Sequence, residues 1–211
     1  MSTITIVNYG LGNIFSVQNA IKKCGSKTIV TNNFKDIEKA KYLILPGVGA
    51  FENGMKGLIK YDLIKPILEY CNSGKPLLGI CLGMQLLATI SEEYGKHKGL
   101  NVIPGVVKQI PNQDTEGNFC KIPNIGWIEL LKENNSWSNS ILGNLKEFEE
   151  VYLVHSYSFS PKNKNNILAN CLFNGHKICV VIKEGNIYGT QFHPEKSGKV
   201  GLKILKNFCS I

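Results

Sequence analysis

The first half of the chain alternates short apolar runs with longer segments whose apolar residues recur at helical spacing. The runs predict β-strands at residues 4–7, 27–31, 42–45 and 77–80, of which 42–45 is expected to be buried. The helical spacing predicts α-helices at residues 14–24 and 36–40, within 55–72, and at 82–90. Alternating strands and helices favour a parallel sheet whose strands are joined by crossover helices.

The second half changes character, because its apolar segments follow one another with only short turns between them. They predict further strands at residues 102–110, 149–158, 167–173, 178–183 and 187–192. A last helix is predicted at residues 200–208. We therefore expect one domain over residues 1–211, of the α/β class: a three-layer sandwich with a mostly parallel central sheet and additional antiparallel strands.

Composition indicates where such a domain would be found and which kinds of site it would contain. No apolar run approaches the ~20 residues that cross a bilayer, and the N-terminus lacks the pattern of a signal peptide. Seven cysteines, an odd number without any Cys-x-x-Cys pair, argue against a disulfide framework or a zinc site. We expect a cytoplasmic protein with no membrane contact, no metal and no cofactor.

The net charge of +8 raises the question of nucleic-acid binding. All 24 basic residues are lysines, however, and they are scattered along the chain. Bidentate recognition of phosphate and guanine prefers arginine, so we expect no nucleic-acid partner. The excess of lysine is compatible with docking to an acidic protein.

Residues 79–87 carry the strongest chemical signal of the chain. Cys81 follows an apolar run and precedes a helix-forming one, with Gly79 and Gly83 two positions to either side. Glycines there permit a sharp strand-to-helix turn, and a helix N-terminus favours the thiolate form of a cysteine. An isolated cysteine after a strand is usually a core residue, but this setting makes Cys81 a candidate nucleophile.

A candidate base lies at the end of the last predicted strand, in the sequence Gln-Phe-His-Pro-Glu at 191–195. His193 and Glu195 are two positions apart, so they point the same way in extended backbone, and Pro194 stiffens the segment. An imidazole can accept and donate a proton near neutral pH, and a carboxylate on its other nitrogen fixes the tautomer. We predict that these two residues complete a catalytic triad with Cys81 at the carboxyl edge of the sheet.

A glycine-rich segment, Pro-Gly-Val-Gly at 46–49, follows another buried strand and therefore lies at the same edge. Glycines leave backbone N–H groups free to approach a developing oxyanion. The N–H of Leu82, directly after the nucleophile, is a second candidate donor. Alone, such a segment is usually only a loop, but its order along the chain with the cysteine and histidine segments supports an active site.

Together these segments resemble the class I (triad) glutamine amidotransferases over nearly the whole chain. Residues 79–85 look like that family's nucleophile motif, 193–195 like its acid–base motif and 46–51 like its oxyanion strand. Within the family, the chain resembles the glutaminase subunit of imidazole glycerol phosphate synthase. The segments that carry this second resemblance are 9–14, 46–51, 154–157 and 191–197.

The resemblance implies a role for each candidate residue. Cys81 would attack the side-chain amide of glutamine, His193 would protonate the departing ammonia, and Glu195 would orient His193. His155 would be structural rather than catalytic. The remaining roles would be oxyanion donation by Val48 and Gly49 after a local backbone rearrangement, and contact with glutamine through Gln85, Glu93, Ser156 and Tyr157.

A partner is implied as well, a (β/α)8-barrel cyclase subunit that forms a heterodimer and receives the ammonia in histidine biosynthesis. Its products would be imidazole glycerol phosphate and an aminoimidazole carboxamide ribotide. Asn13, Trp127 and Lys196 would lie at the interface, with Lys196 facing an acidic residue of the barrel. Where the family usually reads Pro-His-Met-Gly-Trp-Asn, this chain has Asn124 and Ile128. That departure leaves open a related subunit that supplies ammonia for sugar amidation in surface-polysaccharide or flagellar glycan pathways.

Two further classes of function stay open at this point. A thiol hydrolase of another substrate would be active without glutamine and would need no barrel partner. A catalytically silent binding subunit has no need to retain Cys81, His193 and Glu195 together, so the complete set argues against that class.

Overall fold

A computed structural model of the chain describes residues 2–133 and 136–211. The strands are β1 (Thr3–Val7), β2 (Lys27–Thr31), β3 (Tyr42–Gly47), β4 (Leu77–Cys81), β5 (Ile90–Ser91), β6 (His97–Lys98), β7 (Gly105–Gln109), β8 (Asn124–Glu129), β9 (Leu131–Lys132), β10 (Glu150–His155), β11 (Tyr157–Pro161), β12 (Ile167–Phe173), β13 (His176–Glu184) and β14 (Ile187–Thr190). The α-helices are α1 (Ile14–Lys23), α2 (Phe34–Lys39), α3 (Phe51–Lys60), α4 (Ile64–Asn72), α5 (Leu82–Leu86) and α6 (Gly198–Phe208). Short 3-10 helices occupy Lys164–Asn166 and Pro194–Lys196.

Eight strands of the described part form one sheet in the order β2-β1-β3-β4-β14-β13-β12-β9. The first five are parallel to one another, and the last three are antiparallel to their neighbours. The prediction of a mostly parallel sheet with antiparallel strands added late is therefore confirmed. One consequence matters for the site: β14, almost last in the chain, lies directly beside β4, which carries Cys81.

Helices cover both faces of this sheet and give the three predicted layers. α1 and α6 pack on one face, where Ile21 and Phe208 are fully buried. Helices α2 to α5 pack on the other face, with Leu58 and Ile67 at its centre. Successive side chains along each buried strand point to opposite faces of the sheet, so each strand contributes to the core on both sides.

Two smaller sheets stand beside the main one and carry part of the site. One has the order β11-β7-β5-β6, and the other is an antiparallel pair of β10 with β8. Strand β8, residues 124–129, was not predicted, because that segment mixes apolar residues with an asparagine and a glycine. In the pair, Asn124 lies directly opposite His155.

Several predicted boundaries differ from the structure. The helix predicted at 82–90 ends at Leu86, because the carbonyls of Leu87 and Ala88 accept hydrogen bonds from the backbone of residues 101–103. The strand predicted at 102–110 begins only at Gly105 for the same reason. The region 149–158 divides into β10 and β11 at Ser156, whose carbonyl accepts a hydrogen bond from Ile110.

The region 55–72 also divides, into α3 and α4, around Asp62 in the left-handed conformation (φ 53°). Helix α3 begins four residues earlier than predicted, directly after the glycine-rich segment. No helix within residues 2–133 and 136–211 is long and apolar enough to span a bilayer.

Candidate active site

Cys81 is the last residue of β4, and α5 begins at the next residue. Its backbone is in the left-handed region (φ 54°), which a non-glycine residue adopts only when its surroundings hold it there. Glycine is needed at positions 79 and 83 because a side chain would clash with neighbouring backbone there, and not because the backbone has a positive φ. A Cβ on Gly79 would come within 2.7 Å of the Met84 nitrogen, and one on Gly83 would overlap the carbonyl oxygen of Leu45. The predicted sharp turn with close packing is present.

Sheet register determines the neighbours of Cys81. In the pairing with β3, Gly47 lies opposite Cys81, so the glycine-rich segment leaves the sheet beside the sulfur. On the other side, Thr190 of β14 lies opposite Ile80. The chain after β14 therefore passes Cys81 with Gln191 and brings His193 to the same edge.

His193 and Glu195 form a buried pair next to Cys81. The His193 Nδ1 and Glu195 Oε1 atoms are 2.9 Å apart, with both side chains at most 3% exposed. Cys81 is the other group that acts on the His193 ring. Burial by itself lowers the pKa of His193, but hydrogen bonds and charge attraction from Cys81 and Glu195 outweigh it and raise the pKa to about 10.

Ser197 holds the histidine segment in place. Its hydroxyl donates to the His193 carbonyl (2.7 Å) and accepts from the Tyr152 N–H (3.0 Å), while the His193 N–H donates to the Tyr152 carbonyl (3.0 Å). Strand β10 and the 3-10 helix are thus tied together behind the imidazole. The sequence had given no reason to single out Ser197, because its partner Tyr152 is 45 residues away.

A chain of three hydrogen bonds runs from a backbone carbonyl to the cysteine sulfur. The Gln85 Nε2 donates to the Tyr157 carbonyl (2.9 Å) and to the Gln191 Oε1 (3.0 Å). The Gln191 Nε2 in turn donates to Cys81 Sγ at 3.7 Å. Gln191 is fully buried, and sequence reasoning assigned it no role.

A cavity of about 300 Å³ opens onto these groups. Its walls contain all the predicted oxyanion and substrate residues together with two of the three predicted triad residues. The lining is Val48, Gly49, Cys81, Leu82, Gln85, Glu93, Pro123, Val154, His155, Ser156, Tyr157, Gln191 and His193. Glu195 lies behind His193, outside this lining, where an orienting carboxylate belongs.

The glycine-rich segment forms one rim of the cavity. Val48 is 38% exposed, and Gly49 has a φ of +98° that favours glycine. The Phe51 N–H, just beyond, donates to Glu93 Oε2 at 2.6 Å. Glu93 therefore both lines the cavity and fixes the end of the segment that was predicted to bind the oxyanion.

His155 lies at the opposite rim with a fixed tautomer. Its Nδ1 is 3.0 Å from the Tyr157 carbonyl, which can only accept, so Nδ1 carries the proton. Burial lowers the pKa of His155 more than this hydrogen bond raises it, so the ring is neutral. The carbonyls of Ser156 and Tyr157 already accept hydrogen bonds within the protein, from Ile110 and from Gln85 and His155.

The three predicted interface residues lie outside the cavity. Asn13 caps α1, with its side chain accepting from the Ser16 N–H at 3.3 Å. Trp127 is 54% exposed and meets the Tyr152 ring edge-on at 6.0 Å. Lys196 is exposed on the 3-10 helix, which packs against α1.

The other cysteines differ from Cys81 in their surroundings. All seven are free, and burial raises the pKa of Cys71 and Cys171 to about 12. Thiols of that kind are inert core residues. Within the residues that the structure describes, no group of three or more His, Cys, Asp or Glu side chains could hold a metal ion.

Comparison with known proteins agrees with this geometry. The family model "Glutamine amidotransferase class-I" matches residues 5–211. The imidazole glycerol phosphate synthase subunit HisH 1 of Legionella pneumophila (strain Paris) is 46% identical over 213 residues, covering 100% of each chain. The subunit HisH of Geobacillus sp. (strain WCH70) is 44% identical over 208 residues, 99% of this chain and 96% of that one.

A similar fold is found in the solved structure of PurLQS from Thermotoga maritima. It matches with a TM-score of 0.72 at 19% identity, covering 100% of this chain and 99% of that chain. At that identity the likeness concerns the fold alone. The family model and the full-length relatives go further: the chain belongs to the class I glutamine amidotransferases.

Proposed function

We propose that this protein is the glutaminase subunit of an imidazole glycerol phosphate synthase, which hydrolyses glutamine and delivers ammonia to a cyclase subunit. The observation that carries the proposal is the similarity to curated HisH subunits at 46% identity over both full lengths. The buried Cys81, His193 and Glu195 cluster beside a cavity supports it chemically.

The first half of the reaction would form a tetrahedral adduct on Cys81. Because the pKa of His193 is raised to about 10, the ring is an imidazolium beside Cys81 at neutral pH. The Cys81 sulfur attacks the side-chain carbonyl carbon of glutamine, and the carbonyl electrons move onto oxygen. The Leu82 N–H and an N–H of residues 48–49 would stabilise that oxyanion, the latter after the segment rearranges.

The second half would form the γ-glutamyl thioester and then hydrolyse it, which regenerates the enzyme. As the oxyanion collapses, the carbon–nitrogen bond breaks and His193 gives its proton to the departing nitrogen, which leaves as ammonia. The neutral imidazole then takes a proton from water while the hydroxide attacks the γ-glutamyl thioester. Glutamate leaves, and the thiolate and imidazolium are restored. Glu195 holds the ring in one tautomer throughout.

Glutamine would be held by the cavity walls. Gln85 faces the cavity with its Nε2 already engaged, which leaves its carbonyl oxygen for the substrate. Glu93 would attract the α-ammonium group, and the backbone of Ser156 and Tyr157 would line the other side. A volume of about 300 Å³ suits a single amino acid rather than a peptide.

The ammonia requires a partner, because free ammonia becomes ammonium in water and loses the lone pair needed for attack. We infer a heterodimer with a (β/α)8-barrel cyclase, docked on the surface that carries Asn13, Trp127 and Lys196. The outward side of the β8–β10 pair supports this choice, since Ile125 and Trp127 are 59% and 54% exposed there.

A coupled assay tests the proposal. Purified protein is incubated with glutamine, alone and with the cyclase of the host's histidine pathway, while glutamate and imidazole glycerol phosphate are measured. We expect both products with the cyclase and much less glutamate without it. Cys81→Ala should abolish glutamate release. An alanine variant as fast as the wild type would disprove the mechanism, and activity unaffected by the cyclase would disprove the coupling.

Position 124 favours one second candidate, a glutaminase that feeds sugar amidation in a glycan pathway. The family usually has histidine there, whereas Asn124 is buried opposite His155 and directly follows Pro123, which lines the cavity. This candidate keeps the same glutaminase chemistry and changes only the ammonia acceptor. It gains support if glutamate release is normal but the histidine-pathway cyclase neither binds nor forms product.

A further inference from the structure

Gln191 contacts the sulfur of the candidate nucleophile from the side opposite the glycine-rich segment. Its Nε2 lies 3.7 Å from Cys81 Sγ, and its side chain is completely buried. The position follows from sheet register, since Thr190 pairs with Ile80 and the next residue on each strand extends past the pair. A buried amide held against a sulfur by two rigid strands has little freedom to move away.

The direction of the amide is fixed from a distance. The Tyr157 carbonyl can only accept, so the Gln85 amino group must face it. The second hydrogen of that amino group goes to Gln191 Oε1. Gln191 is then left with only its own amino group to present to Cys81. A flipped Gln191 would place two amino groups face to face and an oxygen against the sulfur.

We propose that Gln191 is a positioning residue which holds an N–H donor on Cys81 Sγ and so stabilises the thiolate, with the Tyr157 carbonyl and Gln85 setting the polarity of the donor. A donor bond to an ionised acceptor is stronger than one to a neutral acceptor, so this contact favours the charged nucleophile. The His193 ring, when protonated, adds a positive charge that favours the same thiolate.

The arrangement also links the substrate pocket to the nucleophile. Gln85 lines the cavity and contacts Tyr157, which lines it too. A glutamine molecule that hydrogen-bonds Gln85 would therefore tighten the same chain that ends on Cys81. This part of the inference rests on the proposed function, whereas the donor at the sulfur does not depend on what the substrate is.

Thiol alkylation tests the donor without any turnover of glutamine. Full-length protein is treated with iodoacetamide from pH 5 to 9, and the rate at each cysteine is read by peptide mass spectrometry. Cys120, which is partly exposed and distant in sequence, serves as the internal reference. Two variants change the contact: Gln191→Met removes the donor without adding charge, and Gln191→Glu replaces it with an acceptor.

We expect alkylation of Cys81 at pH 7 to fall about tenfold in Gln191→Met and further in Gln191→Glu, with both rate profiles displaced to higher pH. Cys120 should react at the wild-type rate. Gln113→Glu, the same change at an exposed glutamine, should leave Cys81 unaffected. Wild-type profiles for Cys81 in the folded Gln191 variants would overturn the proposal.

Folding is checked by circular dichroism and thermal denaturation. If both Gln191 variants unfold, Gln85→Met tests the same chain one step further away, because it frees the Gln191 amide to turn. A severalfold slower alkylation of Cys81 is then expected, and an unchanged rate refutes the inference. Failure of the proposed function looks different: the wild type would then release no glutamate from glutamine in the presence of the cyclase, while the alkylation difference between the wild type and the Gln191 variants would remain.

Discussion

At the scale of single residues, the pair of His193 and Glu195 makes stability depend on pH in a definite direction. The pKa of His193 rises from 6.5 to about 10 in the folded protein, because hydrogen bonds and charge attraction from Cys81 and Glu195 exceed the cost of burial. A raised pKa means that the folded state binds the proton more tightly than the unfolded chain. The stabilisation is complete below about pH 6.5 and is lost as the pH rises through 10.

Glu195→Gln removes one of the two groups that hold this proton. We expect the free energy of unfolding to differ most between wild type and variant near pH 6, and the difference to shrink steadily towards pH 10. Urea denaturation at several pH values measures it. Glu92→Gln, the same change at an exposed site, should give a flat difference. A difference that grows with pH would contradict this account.

Sequence patterns singled out the three predicted triad residues but not the residues that contact them. Cys81, His193 and Glu195 stood out because each lies in a local motif: flanking glycines, or a spacing of two across a proline. Gln191 contacts partners 106 and 110 positions away, and Ser197 contacts a partner 45 positions away. Such contacts depend on strand register and on packing between elements, which a single sequence does not display.

At the scale of elements, the turn from β4 to α5 depends on one backbone contact. Gly83 packs so tightly on β3 that a Cβ would overlap the Leu45 carbonyl oxygen, and backbone cannot move aside as a side chain does. We expect Gly83→Ala to cost about 3 kcal/mol or more of stability in urea denaturation. Gly25→Ala isolates the effect of backbone conformation, since Gly25 has φ +84° but open space around it. That control should cost only about 1–2 kcal/mol.

The tie between β10 and the 3-10 helix makes a second prediction at this scale. Ser197→Ala removes both hydroxyl hydrogen bonds and leaves the Tyr152 N–H without its acceptor. We expect a loss of about 1–3 kcal/mol in stability and a fall in kcat with KM nearly unchanged, because His193 is held less firmly. Ser160→Ala, at an exposed position of β11, should change neither. A rise in KM with unchanged kcat would assign Ser197 to substrate binding instead.

Element existence was easier to predict than element length. The strands and most of the amphipathic helices of the parallel half were predicted close to their observed positions, since their apolar periodicity is local. Helix α5 was overestimated because the carbonyls after Leu86 bond to residues 101–103 rather than continuing the helix. Strand β8 was missed because its residues 124–129 pair with β10, and these cross-strand partners, 21 to 31 positions away, supply what the local pattern lacks.

At the scale of the whole molecule, the site is assembled where the parallel sheet meets the smaller sheets. Strand β4 and the segment after β14 carry the predicted nucleophile and the predicted acid–base pair, while β10 and β11 provide the opposite rim of the cavity. The exposed outward side of the β8–β10 pair continues from that rim. Chemistry and the proposed docking surface therefore share β10, so a partner bound there contacts the strand that ends at His155.

The charge of the molecule gives a prediction about that docking. With 24 lysines, no arginine and a net charge of +8, the chain fits an acidic surface, and Lys196 extends from the segment that also carries Glu195. We expect Lys196→Glu to weaken binding to the cyclase at least tenfold in calorimetric titration at low salt, with the difference narrowing as salt is raised. Lys164→Glu, on the exposed Lys164–Asn166 turn, makes the same charge change at a site we place outside the interface. Equal weakening by both variants would mean that net charge alone steers association, and no weakening by Lys196→Glu would remove Lys196 from the interface.

A separate measurement excludes damage to the neighbouring Glu195 and His193 as the cause of weaker binding. The rate of Cys81 alkylation is measured in free Lys196→Glu protein, and we expect it to equal the wild-type rate.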